Sequence, residues 1–236
     1  MGLPLYLAMT GAEMRSTSQI PPHFAYMACH FSPYGEGITN IPETLPEKSM
    51  LILNDRMPCQ GHSPNLTAQQ LREAADRLNC ESVLLDFVHP PDSESEVMVH
   101  AILETLVCPV AVSAGHAERL HCPVFLPPCP LHITMEEYLT PWKGREIWLE
   151  AALCQESLRI TQSGADCIPQ FPPEGLEEGF YDEALCCHYR IGASHDRIAF
   201  TLFDTGASLK KKLEQAQTLG VSRAVGLWLE LHTLIG

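Results

Sequence analysis

Along the chain, short apolar runs alternate with segments whose apolar residues recur every three to four positions. The runs PLYLAMT (4–10), HFAYMACHF (23–31), SMLILND (49–55), SVLLDFV (82–88), CPVAVSA (108–114), CPVFLPP (122–128), EIWLEAAL (146–153) and AVGLWLEL (224–231) read as eight strands. Between several of them the period lengthens. NLTAQQLREAADRLN (65–79) places Leu66, Leu71, Ala74, Ala75 and Leu78 on one helical face, and 95–106 and 207–220 are patterned alike. Starting caps are expected at Asn65, at Ser93 or Ser95, and at Thr205 or Ser208, with Gly220 as a C-terminal stop. Strands alternating with helices predict parallel βα units and an α/β fold, a (β/α)8 TIM barrel. It is a trimmed one, because HAERL leaves no room for a full helix between the fifth and sixth strands.

The last connection differs. Residues 157–204, between the seventh and eighth strands, contain SLRITQ, ALCCHYRIG and RIAFTLF, whose alternation predicts a small antiparallel or α+β insertion. The Pro/Gly/Glu-rich PQFPPEGLEEG within it reads as a loop. Nothing resembles a linker, so 1–236 is expected to be a single barrel domain carrying that insertion.

Length and composition agree with this architecture. The chain has 236 residues, 45% of them apolar and 19% charged, within the size of one α/β barrel. Fifteen basic residues against 29 acidic ones leave a net charge of −14. Such an acidic field repels phosphate backbones and anionic lipid, so neither nucleic acid nor membrane is an expected partner. The opening MGLPLYLAMTGAEM lacks a basic n-region and reads as a strand, which leads to the expectation of a cytoplasmic protein. Asn65-Leu66-Thr67 matches a glycosylation sequon but is read as a helix start. The ten cysteines form no C-x-x-C pair and read as reduced buried thiols. Adjacent Cys186 and Cys187 cannot both face one core if both lie on a strand, which leaves one of them open to reaction.

The stretch RIAFTLFDTGASLKKKLEQAQTLGVSRAVGLWLEL (197–231) resembles the end of the glycoside hydrolase family 18 barrel, the family of chitinases and spore-cortex glycosidases. Asp204, Ser208, Lys212, Ala216, Gly220 and Trp228 stand at that family's places. PPHFAYMACHFSPYGEGI (21–38) is similar to its second strand, SMLILND to its third, and LTAQQLREAADRLNCESVLLDFV to the helix and strand that follow.

In that family the fourth strand carries D-G-x-D-x-D-x-E. The resemblance puts Glu81 at the first Asp, Leu84 at the second, Asp86 at the third and Val88 at the glutamate that acts as general acid. Val88 has no proton to give, and CPVFLPPCP lacks the Tyr of the sixth strand. The resemblance therefore implies a barrel with a degenerate catalytic motif, one that does not hydrolyse but binds an amino-sugar glycan, such as a peptidoglycan fragment, or a partner at the C-terminal mouth.

Two alternatives stand beside this reading. One is an active glycoside hydrolase using relocated carboxylates. The repeated Trp-x-Glu triplets put Trp148 with Glu150, and Trp228 with Glu230, on one face each, so that Asp86 would pair with Glu150 or Glu230 as catalytic residues. Under either reading Tyr26, Asp55, His89, Trp148 and Trp228 are the expected substrate-binding residues, and in the non-hydrolytic one Tyr26, Trp228, Asp86 and Glu230 stand at the mouth. The other is a structural or assembly protein, for example in sporulation, with a protein partner bound through the insert near 166–182. His89, His116 and His121 with Asp55 and Asp86 match no metal cage, and no phosphate-binding glycine motif occurs, so neither metal nor cofactor is expected.

Overall fold

The computed structural model describes residues 2–18, 20–35, 37–161, 164–170, 179–194 and 197–234. Eight parallel strands close the predicted barrel. In chain order these are β1 (Leu5–Met9), β2 (Phe24–Phe31) with the short antiparallel β3 (Ile38–Thr39) on its edge, β4 (Met50–Asn54), β5 (Ser82–Asp86), β6 (Val110–Ser113), β7 (Val124–Leu126) and β8 (Ile147–Ala151). Five strands of the insertion, β9 to β13, come next in the chain before β14 (Val221–Leu227) completes the ring. Closure is made where β1 pairs with β14 on one side, Leu5 opposite Ala224, and with β2 on the other, Leu7 opposite Phe24.

Alternation decides which side chains fill the barrel. Met50 and Ile52 of β4, Leu84 of β5, Phe125 of β7, Trp148 of β8 and Val225 of β14 point inward. Leu51, Leu53, Val83, Leu85, Val124 and Leu149 point outward to the helices. Wholly buried Trp148 is accommodated because Ala8, Ala25 and Ala111 are small.

Among the described residues the helical layer is thin. Full-length helices are α2 (Pro64–Arg77), α3 (Ser93–Thr105) and α6 (Gly206–Thr218). The others, α1 (Gly11–Ser16), α4 (Ala114–Ala117), α5 (Met135–Leu139) and α7 (Trp228–Leu231), are one or two turns long. The caps correct two expectations. Ser63, not Asn65, caps α2, its hydroxyl accepting from the Leu66 amide at 3.4 Å with Pro64 at the first helical position. Asp92, not Ser93 or Ser95, caps α3. Its carboxylate accepts from the amides of Glu94 and Ser95, while the Ser95 hydroxyl accepts from the Asp92 amide at 2.9 Å. Thr205 caps α6, with Ser208 closing its capping box, and Gly220 follows at φ +98°.

The last barrel strand is displaced from its expected range. It runs Val221–Leu227, and the chain then turns into α7 at Trp228, so Trp228 and Glu230 lie on a helix and not on a strand.

The insertion is a separate antiparallel sheet, in the order β10-β9-β13-β12-β11. Its strands are β9 (Gln155–Thr161), β10 (Gly164–Gln170), β11 (Phe180–Asp182), β12 (Cys187–Ser194) and β13 (Arg197–Phe203). The segments read as strands form β9, β12 and β13. β10 and β11 flank the expected loop, β10 running two residues into it, and β10 tolerates Pro169 because it is an edge strand. The centre of the Pro/Gly/Glu-rich stretch, 171–178, and with it much of the expected partner-binding segment, lies outside the described residues. The two ends of the sheet meet at the barrel. The Asp204 amide donates to the Cys154 carbonyl at 2.8 Å, and the buried Asp204 carboxylate takes Lys212 Nζ at 2.7 Å and Ser208 Oγ at 3.2 Å.

All ten cysteines are free thiols. Cys186 and Cys187 are both buried, because Cys186 sits in a left-handed turn at φ +49° ahead of β12 and not on the strand. Among the described residues no helix is long and apolar enough to cross a membrane.

Candidate functional site

The C-terminal mouth of the barrel is a depression of about 70 Å³. Arg56, Asp86, Glu150, Asn54, Met27 and Leu227 line it, above the barrel-filling Leu84 and Phe125. Ile52, Asn54 and Arg56 follow the inward alternation of β4, and Leu84 and Asp86 that of β5. β2 widens as it reaches the mouth through a register shift between Tyr26 and Cys29. Asn54 satisfies that irregular stretch by donating to the carbonyls of Met27, at 3.1 Å, and Cys29, at 2.9 Å.

Electrostatically the mouth is only partly compensated. Burial raises the Asp86 carboxyl above its ordinary value, the Asp55 charge adds to this, and Arg56 opposes it. Glu150 is pushed up to about 7, first by burial and then by the charges of Asp86 and Glu230. Among the described residues its carboxyl accepts no hydrogen bond. Burial and the neighbouring carboxyl group therefore favour the protonated form of Glu150 well above the ordinary glutamate range.

The structure thus brings Asp86 and Glu150 together. It places the other expected residues elsewhere. Glu230, on α7, uses its carboxylate to accept from the Leu153 amide beyond β8. It does not line the depression, although burial raises its own pKa. Tyr26 faces outward on β2, where its ring packs with the outer core near Gly11, because its inward neighbours are Ala25 and Met27. Trp228 is turned away by the helix that begins with it and stacks on His232, with ring centroids 4.9 Å apart. Asp55 is buried and anchors the loop after β5, accepting from the amides of Val88 at 2.8 Å and His89 at 3.0 Å. His89 also contacts it through Nδ1 at 3.0 Å. The histidines at 89, 116 and 121 do not converge with Asp55 and Asp86 into a metal-ligand group. Val88 stands on the rim, 71% exposed.

Trp148 belongs to the opposite end. Its indole donates to Glu146 at 2.8 Å, and the Arg223 guanidinium lies over its ring at 4.7 Å. Arg223 also donates to Glu81 at 3.2 Å and to Ser82 at 2.9 Å, and the Tyr6 hydroxyl donates to Glu81 as well. Glu81 is therefore fixed at the barrel floor and takes no part in the mouth.

Sequence reasoning missed Met27, Asn54, Arg56 and Phe125. The signal for Arg56 was present, since Ile52, Asn54 and Arg56 share one strand face. Met27 was hidden by the irregularity in β2.

No family model and no curated protein matches the chain. Solved structures do. The chain is similar to the GH18 chitinase of Cycas revoluta, solved in complex with (GlcNAc)4, at TM-score 0.56 and 10% identity over 94% of each chain. It is also similar to the spore cortex-lytic enzyme SleL of Bacillus cereus, at TM-score 0.53 and 10% identity over 95% of this chain and 70% of that one. At such identity the likeness is one of fold: this chain is built on a family-18-like (β/α)8 barrel.

Proposed function

We propose that the chain is a non-hydrolytic carbohydrate-binding barrel whose ligand, an amino-sugar glycan, lies across the C-terminal rim. The observation that carries this reading is Val88. At the position where the family resemblance expects the proton-donating glutamate, an aliphatic side chain stands 71% exposed on the rim. The depression beneath it, at about 70 Å³, is far below the roughly 300–1,000 Å³ of pockets that enclose small ligands. A pyranose ring would rest on the apolar rim of Val88, Leu227 and Met57, which are all exposed. Its hydroxyl or acetamido groups would reach down to Asp86 and Arg56. The chitinase complex with (GlcNAc)4 supports the amino-sugar class of ligand.

Titration calorimetry with chito-oligosaccharides and with peptidoglycan fragments, followed by product analysis, tests it. Binding without cleavage is expected, weakened by Asp86→Asn. Heat from none of these glycans would sink the proposal.

One observation favours a second reading, a glycoside hydrolase with relocated carboxylates. Glu150, raised to about 7 beside Asp86, has the protonation of a general acid at neutral pH. Under this reading a chromogenic amino-sugar glycoside is turned over with a pH–rate limb near 7 that Glu150→Gln removes. Absence of turnover by the unaltered protein dismisses it.

A further inference from the structure

A second cluster of reactive side chains lies outside the mouth, where the insertion sheet meets the loop after β7. His132 comes from that loop, Glu156 from β9 and Cys167 from β10. Glu156 is opposite Pro169 in the β9–β10 ladder, so Cys167, two residues from Pro169, projects on the same face as Glu156. The three ligand atoms converge. His132 Nδ1 is 2.7 Å from Glu156 Oε2, and Cys167 Sγ is 3.3 Å from that nitrogen and 3.2 Å from that oxygen. The carboxylate is held in place, since Glu156 is buried and its Oε1 accepts from the Leu131 amide at 3.0 Å.

Two chemistries could use such a triangle. A nucleophilic thiol needs a base on one ring nitrogen of histidine and an orienting carboxylate on the other. Here both partners face the same nitrogen, Nδ1, which cannot donate to Glu156 and also take the Cys167 proton. Burial and the Glu156 carboxylate moreover push the Cys167 thiol up to about 11, the reverse of an activated nucleophile. Three atoms meeting at one point is instead the arrangement around an ion. Metal bonds of about 2.0–2.3 Å at tetrahedral angles separate nitrogen, oxygen and sulfur ligands by about 3.3–3.6 Å. The two sulfur separations need to open by only a few tenths of an ångström, and the His132–Glu156 separation by about 0.6 Å.

We propose that His132 Nδ1, Glu156 Oε2 and Cys167 Sγ bind one divalent transition-metal ion of the zinc class. The mixed nitrogen, oxygen and sulfur set suits zinc and not magnesium or calcium, which take oxygen ligands. Binding displaces the thiol proton to solvent, and the sulfur coordinates as thiolate. The exposed His132 leaves the fourth position open to water. The ion ties the edge strand β10 and its neighbour β9 to the barrel loop at 131–132. Spacing in the sequence gave no sign of this site, because its ligands are 24 and 11 residues apart and come from three segments.

The test is titration of the chelator-stripped full chain with Co2+, read by absorption, followed by displacement with Zn2+. One equivalent of Co2+ is expected to produce a cobalt–thiolate charge-transfer band that Zn2+ abolishes, and one equivalent of Zn2+ to raise the melting temperature. Cys167→Ser removes the band and weakens binding on the order of 100-fold or more. His132→Asn, a change at an exposed position, weakens it comparably. Cys186→Ser leaves both readouts unchanged. Absence of the band in the unaltered protein, or a band that persists in Cys167→Ser, overturns the proposal.

Discussion

The floor and the mouth of this barrel hold carboxylates in opposite circumstances. At the floor, Glu81 is paired with Arg223 at 3.2 Å and takes the Tyr6 hydroxyl, while Glu146 takes the Trp148 indole. At the mouth, Glu150 lies on the same strand as Trp148, two residues on, and meets only like charges. Compensated charge at the floor stabilises the fold, whereas the raised Glu150 carboxyl at the mouth is the kind of charge that the proposed function would assign to a ligand.

Removing the plug of the floor should have the largest effect. Trp148→Ala removes a wholly buried side chain from the barrel interior and is expected to cost about 3–5 kcal/mol in urea unfolding. Neutralising the mouth should act in the opposite direction. The folded chain holds the Glu150 proton up to about pH 7 while an ordinary glutamate releases it near 4.5. The unaltered protein therefore loses stability as pH rises between those values. Glu150→Gln is expected to be more stable than the unaltered chain by about 2–3 kcal/mol at pH 8. That gain should vanish by pH 4, as thermal unfolding across the pH range would reveal. A change at the floor that leaves its shape intact should matter less. Arg223→Met strands Glu81 without its cation and is expected to cost about 1–2 kcal/mol. The smallest effect is expected at the rim. Asp55→Asn keeps one acceptor for the amides of Val88 and His89 and should cost about 1 kcal/mol. Faster hydrogen exchange at those two amides would register it.

The barrel was legible because its strands are apolar on both faces and its helices keep a clear period. The eighth strand was misread for the same reason. VGLWLEL is apolar enough to satisfy either period, and only the turn at Leu227, φ −72° and ψ 131°, converts the run into a helix that carries Trp228 away from the mouth. Half of the mouth was legible, since Asp86 and Glu150 follow from alternation alone. Arg56 lay on a face already identified, one step beyond the strand. Tyr26 was misplaced because the parity of β2 cannot be read without knowing which neighbour fills the barrel. His132, Glu156 and Cys167 were beyond reach, since their meeting depends on how an inserted sheet docks on a loop.

That docking has an evolutionary consequence. The chain leaves the barrel at Cys154 and returns at Asp204, and the two residues share a hydrogen bond of 2.8 Å. Between them lies a cassette whose two ends share one gate, latched by the Asp204–Lys212 ion pair, and whose sheet docks again on the loop after β7 through the Leu131 amide and Glu156. Such a cassette can lengthen, shorten or be exchanged by recombination without shifting the register of any barrel strand. The scaffold is thereby free to keep its geometry while the cassette diverges.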